Sequence, residues 1–189
     1  MKTSFITKSV AALLLSSSLA FAATYKVDTA HSTVGFKIKH MMISNVNGNF
    51  NAFDGSFDID DGKLTTINGI VKVSSIDTDN EKRDGHLKSA DFFDVANHPE
   101  ITFKATNIND DKVIGDLTIK NVTKQVTLML DFGGTAKDPW GNERAGLTLT
   151  GKIDREAFGL TYNQALEAGG VLIGKELKII AEIEGIAAK

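Results

Sequence analysis

The sequence predicts an all-β chain: an antiparallel barrel or sandwich of about eight strands, with a short helix inserted around residues 80–90. Three observations predict it. Apolar and polar residues alternate over most of the chain, which is the period of a half-buried strand. Short turn signals such as Asp60-Asp61-Gly62 and Asn109-Asp110-Asp111 separate these runs, as in antiparallel meanders. Glycines fall on the apolar phase at Gly35, Gly55, Gly69, Gly115 and Gly151. Small residues there leave room inside a barrel or permit sharp bends, whereas a packed sandwich would more often fill them, so they favour the barrel.

The first segment stands apart from the strands. Lys2 and Lys8 give a positive start, Val10 to Leu15 an apolar run, and Ala20-Phe21-Ala22 a small-x-small cleavage site. Residues 1–22 are therefore expected to be a secretory signal peptide, with 23–189 as one mature domain. The apolar run is too short for a bilayer core of about 30 Å, which needs about 20 residues.

The strands follow in order. Tyr25 and Val27 alternate with polar partners, as do Val34, Phe36 and Ile38. Met41-Met42-Ile43 breaks the period and reads as a strand end or turn. Phe50 and Ala52 lie on one phase, and Phe53, Gly55, Phe57 and Ile59 on the other. That slip at Ala52-Phe53 predicts a β-bulge, a device common where a sheet curls. Ile67 to Val73, Ile101 to Ala105, Val113 to Ile119, Val126 to Phe132, Ala145 to Ile153 and Leu177 to Gly185 give the remaining alternating runs.

Asn80 to Pro99, NEKRDGHLKSADFFDVANHP, does not alternate. Asn80 caps a short helix whose first turn is Glu81 to Asp84, and Gly85 limits its length. Phe92 and Phe93 are adjacent, so one strand face cannot take both. His98-Pro99 ends the segment, because a residue before proline is pushed towards extended backbone. The segment is expected to form a lid or wall over whatever the strands enclose. Arg83-Asp84 has two readings: an exposed local ion pair, worth little, or a guanidinium at a cavity mouth that binds a polar or anionic head group.

Composition excludes several functions. Loss of residues 1–22 takes away two lysines and no acid, moving the net charge from −3 to −5. A mildly acidic domain with no Lys/Arg run is a poor nucleic-acid binder. There is no cysteine, hence no disulfide, thiolate nucleophile or Cys-bound metal. His31, His40, His86 and His98 lack the spacing of a zinc site. His86 and His98 flank the central stretch, but hydrogen-bonded or surface histidines are the ordinary reading. No Gly-x-Ser-x-Gly elbow and no phosphate-cradling loop occur, so no catalytic residue, metal or cofactor is expected.

The chain resembles the YceI-like family of exported bacterial lipid-binding proteins. The matching pieces include Asp28-Thr29-Ala30-His31-Ser32, Phe36-Lys37-Ile38-Lys39-His40-Met41, Val46-Asn47-Gly48-Asn49-Phe50 and Phe53-Asp54-Gly55. They continue through Arg83-Asp84-Gly85-His86-Leu87, Asp91-Phe92-Phe93-Asp94, His98-Pro99-Glu100-Ile101-Thr102-Phe103, Gly115-Asp116-Leu117-Thr118-Ile119 and Arg155-Glu156-Ala157-Phe158-Gly159-Leu160. Together they span the mature chain in order. His98-Pro99 stands where the family often has Tyr-Pro. The resemblance implies a lipocalin-like barrel in the periplasm that binds a long isoprenoid, an isoprenoid quinone or a similar amphiphile, with no hydrolytic activity. It links the family to stress and to quinone or isoprenoid handling, and a homodimer is compatible with it.

The expected ligand-binding residues follow. Phe36, Phe50, Phe57, Phe103, Leu117, Leu128, Leu147 and Ile179 stand on apolar strand phases and should line a tunnel of roughly 25 Å. Arg83, Asp84, His86, Phe92 and Phe93 should form one side of the entrance, and Phe158 joins the lining. Two alternatives compete: an outer-membrane barrel, which would turn its apolar face outward, and an enzyme acting on a lipid head group.

Overall fold

A computed structural model describes residues 22–167 and 169–188. The expected signal segment, but for Ala22, lies outside the described residues. The strand segments are β1 (Ala23–Val27), β2 (Thr33–His40), β3 (Ser44–Phe50), β4 (Phe53–Asp60), β5 (Lys63–Lys72), β6 (Ile76–Asp77), β7 (Glu100–Asn109), β8 (Lys112–Ile119), β9 (Val122–Lys137), β10 (Glu143–Asp154) and β11 (Ile173–Ala187). One α-helix, α1 (Glu81–Lys88), sits between β6 and β7.

All pairings are antiparallel, in the order β1-β4-β5-β7-β8-β9-β10-β11, and β11 pairs back onto β1. That is a closed barrel of eight strands, which leaves no edge to be covered. β2, β3 and β6 extend it at one end. β11 pairs its first part, Ile173 to Glu182, with β2 and its last part, Gly185 to Ala187, with β1. β1 and β2 are thus two halves of one strand broken at residues 28–32. β3 and β4 are likewise halves, broken at Asn51-Ala52, where the sequence predicts a bulge. β5 and β6 are separated by a 3-10 turn at Val73–Ser75. The last two breaks lie side by side: Asn51 N–H donates to the Ser75 carbonyl at 3.1 Å, and Ala52 N–H to Ser75 Oγ at 2.9 Å. Register shifts at Asp58/Ile59, Ala105/Asn107 and Gly146/Leu147 bend the sheet as bulges do.

Asp61 and Gly62 have φ of 48° and 73°, and Lys120 and Asn121 have 49° and 62°. Paired positive φ is the signature of two-residue hairpins whose twist matches the strands. The second turn, Lys120-Asn121, joins β8 to β9.

The ends of the barrel differ. At one end Tyr25, Phe57 and Val113 are fully buried, and the Tyr25 and Phe57 rings stack at 5.3 Å. Arg144 ties this closed end together: Nη1 lies 2.8 Å from Asp28 Oδ2 and 2.6 Å from Glu184 Oε1, and Nε 2.9 Å from Asp138 Oδ2. The opposite end carries the turn Met41–Ile43, α1 with the loop to Pro99, and the segment Arg155 to Leu172. This is the mouth.

Candidate ligand-binding cavity

The mouth is built from local sequence. The Asn80 side chain caps α1 by accepting from Arg83 N–H at 2.9 Å. Glu81 and Asp84 lie in the first turn and His86 and Lys88 in the last, as the helix dipole favours. No residue of α1 is buried, so packing alone does not hold it. Thr78 does. Arg83 donates from Nε to Thr78 Oγ1 at 2.7 Å and from Nη2 to the Thr78 carbonyl at 2.6 Å. Asp84 Oδ1 accepts from Thr78 N–H at 3.0 Å and from its hydroxyl. Arg83 and Asp84 thus converge on one buried threonine rather than pairing with each other.

After α1 the chain folds Phe92 and Phe93 inward, each 6% exposed. Phe93 meets Phe50 edge-on at 6.2 Å, and Phe50 lies 6.0 Å from Phe36. His86 sits edge-on to Phe92 and Tyr162 at 5.0 and 4.8 Å, and its Nε2 is 3.0 Å from Asp91 Oδ2. Across the mouth, Arg155 is only 2% exposed. Its Nε donates to the Gly174 carbonyl at 2.9 Å, and Nη1 donates to that of Leu160. Burial pushes its pKa down, while the charges of Glu156 and Asp154 oppose that shift. Asn163 clips the start of β11 by donating to and accepting from the Ile173 backbone at 2.8 and 3.0 Å.

Two connected chambers result. The inner chamber, about 160 Å³, runs down the barrel between Phe36, Phe103, Leu117, Leu128, Leu149 and Ile179; Asp54 and Asn68 are the polar residue types on its wall. It stops above the Tyr25–Phe57 stack, so the cavity is blind and not an open tunnel. The outer chamber, about 660 Å³, carries Lys39, His40, Lys82, Arg83, His86 and Arg155 and no carboxylate. Phe36, Phe93, Leu160 and Leu177 line both chambers and form the neck between them. Gly55 and Gly69 are register partners across β4 and β5 and both line the inner chamber; Gly69 leaves open space there, whereas a Cβ at Gly55 would lie 2.6 Å from the Asn68 carbonyl oxygen. Gly115 does something else: a Cβ there would lie 2.5 Å from the Phe103 ring, so its bareness lets that ring lie flat.

The sequence-predicted residues divide accordingly. Phe36, Phe50, Phe93, Phe103, Leu117, Leu128 and Ile179 line the inner chamber, and Arg83, His86 and Phe92 the outer one. Four do not line either. Phe57 and Leu147 fill the closed-end core, because the cavity ends above them. Phe158 is 2% exposed and packs in the core on the mouth side. Asp84 is turned to Thr78. Sequence reasoning missed Arg155, Tyr162, Leu160 and Leu177 as wall. Arg155 and Leu160 stood in a matching piece of the resemblance, but nothing in their spacing showed that they face a cavity. Among the described residues, Asp28, His31 and Glu184 have the proximity of a cation site, yet Arg144 already neutralises two of them.

Comparison with known proteins agrees with this geometry. A UPF0312 protein of Staphylococcus aureus (strain N315) is 43% identical over 163 residues, covering 85% of this chain and 95% of that protein. The crystal structure of a Campylobacter jejuni YCEI protein superposes with a TM-score of 0.68 at 28% identity, covering 97% of this chain and all of that one. A polyisoprenoid-binding domain from Saccharophagus degradans shares the fold with a TM-score of 0.65 at 13% identity, over 87% of this chain and 98% of that one. The family model described as "YceI-like domain" matches residues 25–185, and the chain belongs to that family.

Proposed function

We propose that this protein is a periplasmic carrier that holds one long, thin amphiphile, such as a polyisoprenoid or an isoprenoid quinone, with its tail in the inner chamber and its polar end among the cations of the outer one. The observation that carries this reading is the division of one cavity into an apolar blind end and a cationic, carboxylate-free mouth. Each CH₂ taken out of water contributes about 0.8 kcal/mol, so the tail sets affinity and the head sets orientation. Arg155 and Arg83 suit an anionic or strongly polar head, since a guanidinium is planar and permanently charged. The Saccharophagus degradans domain lends the fold alone at its identity; the lipid reading rests on the cavity and on the family resemblance. A membrane barrel is disfavoured, because such barrels fill their interior with polar groups, whereas this interior is apolar. Binding without catalysis is the reading: among the described residues, no nucleophile with a paired base lines either chamber.

Competition separates this from a general fatty-acid site. A polyprenyl phosphate should displace a bound fluorescent lipid at a concentration at least about tenfold below that of a short fatty acid, since two extra CH₂ groups already give that factor. Equal potency of the two would remove the argument from chain length.

A further inference from the structure

Six large apolar side chains stand exposed among the described residues, and four of them are neighbours: Met41, Met42, Ile43 and Val171. Met41 N–H donates to the Leu172 carbonyl at 2.7 Å, which sets the β2–β3 turn against the loop that carries Val171, and Met42 lies alongside Gly170. Ile43 is 81% and Met42 58% exposed. Scattered apolar surface residues need no explanation, but a cluster at a hairpin tip does. The backbone sharpens the point. Met41 and Met42 have φ of 51° and 63°, a conformation that Asn or Gly adopts at little cost and that a bulky side chain strains. Neither turn geometry nor solubility selects methionine here.

The second observation is charge. This tip adjoins the outer chamber, whose wall continues from it through Lys39 and His40 and includes Lys82, Arg83 and Arg155. The chain as a whole has more acids than bases, 24 against 21, yet among the described residues no acid lines the chamber itself; Asp91 and Glu156 stand behind its wall, 3.0 Å from His86 and 3.8 Å from Arg155. Glu81 and Glu167 belong to the same elements but stand outside the chamber. Exposed apolar side chains beside a basic rim are the composition of an interfacial anchor on anionic lipid.

We propose that Met41–Ile43 and Val171 form a docking tip that seats the mouth of the cavity on an anionic lipid bilayer. The ligand's tail then passes between bilayer and barrel without crossing water. The purpose of the tip rests on the lipid reading of the cavity; its binding to a bilayer does not. A second copy of the chain is a poorer occupant, because a stable protein interface takes roughly 20–30 residues a side, whereas a tip of four side chains suffices to enter a headgroup region.

The test is sedimentation of the mature chain with vesicles of phosphatidylcholine alone or mixed with phosphatidylglycerol, compared with the double variant Met42→Asn, Ile43→Ser. Neither residue lines a chamber, and asparagine relieves the strained φ, so the variant should melt no lower than the parent. The parent should partition to the mixed vesicles at least about tenfold better than to neutral ones, and the variant should lose most of that. Parent chain left in the supernatant, or equal partition of parent and variant, overturns the proposal. So does a parent dimer in sedimentation velocity that the variant dissociates, since the tip would then be a contact between copies. Vesicle binding by a chain that carries no lipid in native mass spectrometry would leave the tip standing and defeat the carrier reading.

Discussion

Asp28 and Asp138 share one guanidinium, that of Arg144, at the closed end of the barrel. Arg144, then His31, brings the Asp28 carboxyl down to about 2, from an ordinary 3.8. Asn142 and then Arg144 hold Asp138 lower still. A carboxyl whose folded pKa lies below its unfolded one stabilises the fold at pH above the unfolded value, and that stabilisation is lost as pH falls through the folded value. The melting temperature should therefore drop as pH falls from about 4 to about 2. Arg144→Gln should destabilise strongly at pH 7, where it leaves three carboxylates facing one another, and much less near pH 2; equal destabilisation at both would show that Arg144 acts through packing. Residues of this kind were beyond the sequence. Asp28, Arg144 and Glu184 lie far apart in the chain, and the pairing of β11 with both β1 and β10 brings them together, while Asp138 reaches Arg144 locally across the β9–β10 turn. Arg83 is a nearer case. Its two readings were a local ion pair and a mouth cation, and it lines the mouth while spending two of its donors on Thr78.

At the scale of elements, α1 is unusual in burying none of its residues. An amphipathic surface helix normally docks by an apolar stripe; this one is tied to the barrel through Thr78, Arg83 and Asp84. Thr78→Val removes the hydroxyl and should cost about 1–3 kcal/mol, the range for leaving buried polar partners unsatisfied. The loss should be local: hydrogen exchange should quicken over Glu81 to Lys88, while β8 to β11 keep their protection. Uniformly faster exchange would place Thr78 in the global core instead. The helix and its Asn80 cap were legible in the sequence because each is a local signal; the phase slip at Ala52-Phe53 was visible too, but it marks a break between β3 and β4 where a bulge was expected. That three strands are each broken in two was not legible, since a break is defined by where a neighbour's register continues. Phe57 and Phe103 show the same limit: both stand on apolar phases, and periodicity reports an inward face without saying whether that depth of barrel is filled or hollow.

The whole molecule is a barrel plugged at one end and hollow at the other. Gly69 is the place to test that, because a Cβ there would meet nothing nearer than the Asp54 carbonyl oxygen at 4.0 Å. Gly69→Leu should fill the inner chamber, with stability unchanged or raised, since glycine is a weak strand residue. Gly115→Leu should instead drive into the Phe103 ring and destabilise, as overpacking does, by about 1–3 kcal/mol. The most direct measurement is native mass spectrometry of the protein and of its Gly69→Leu variant, both isolated from the native host, with identification of any bound molecule. A lipid-filled inner chamber predicts one long-chain amphiphile on the parent and none on a Gly69→Leu variant that melts at least as high. A parent chain without lipid, or a lipid carried equally by both, would contradict it.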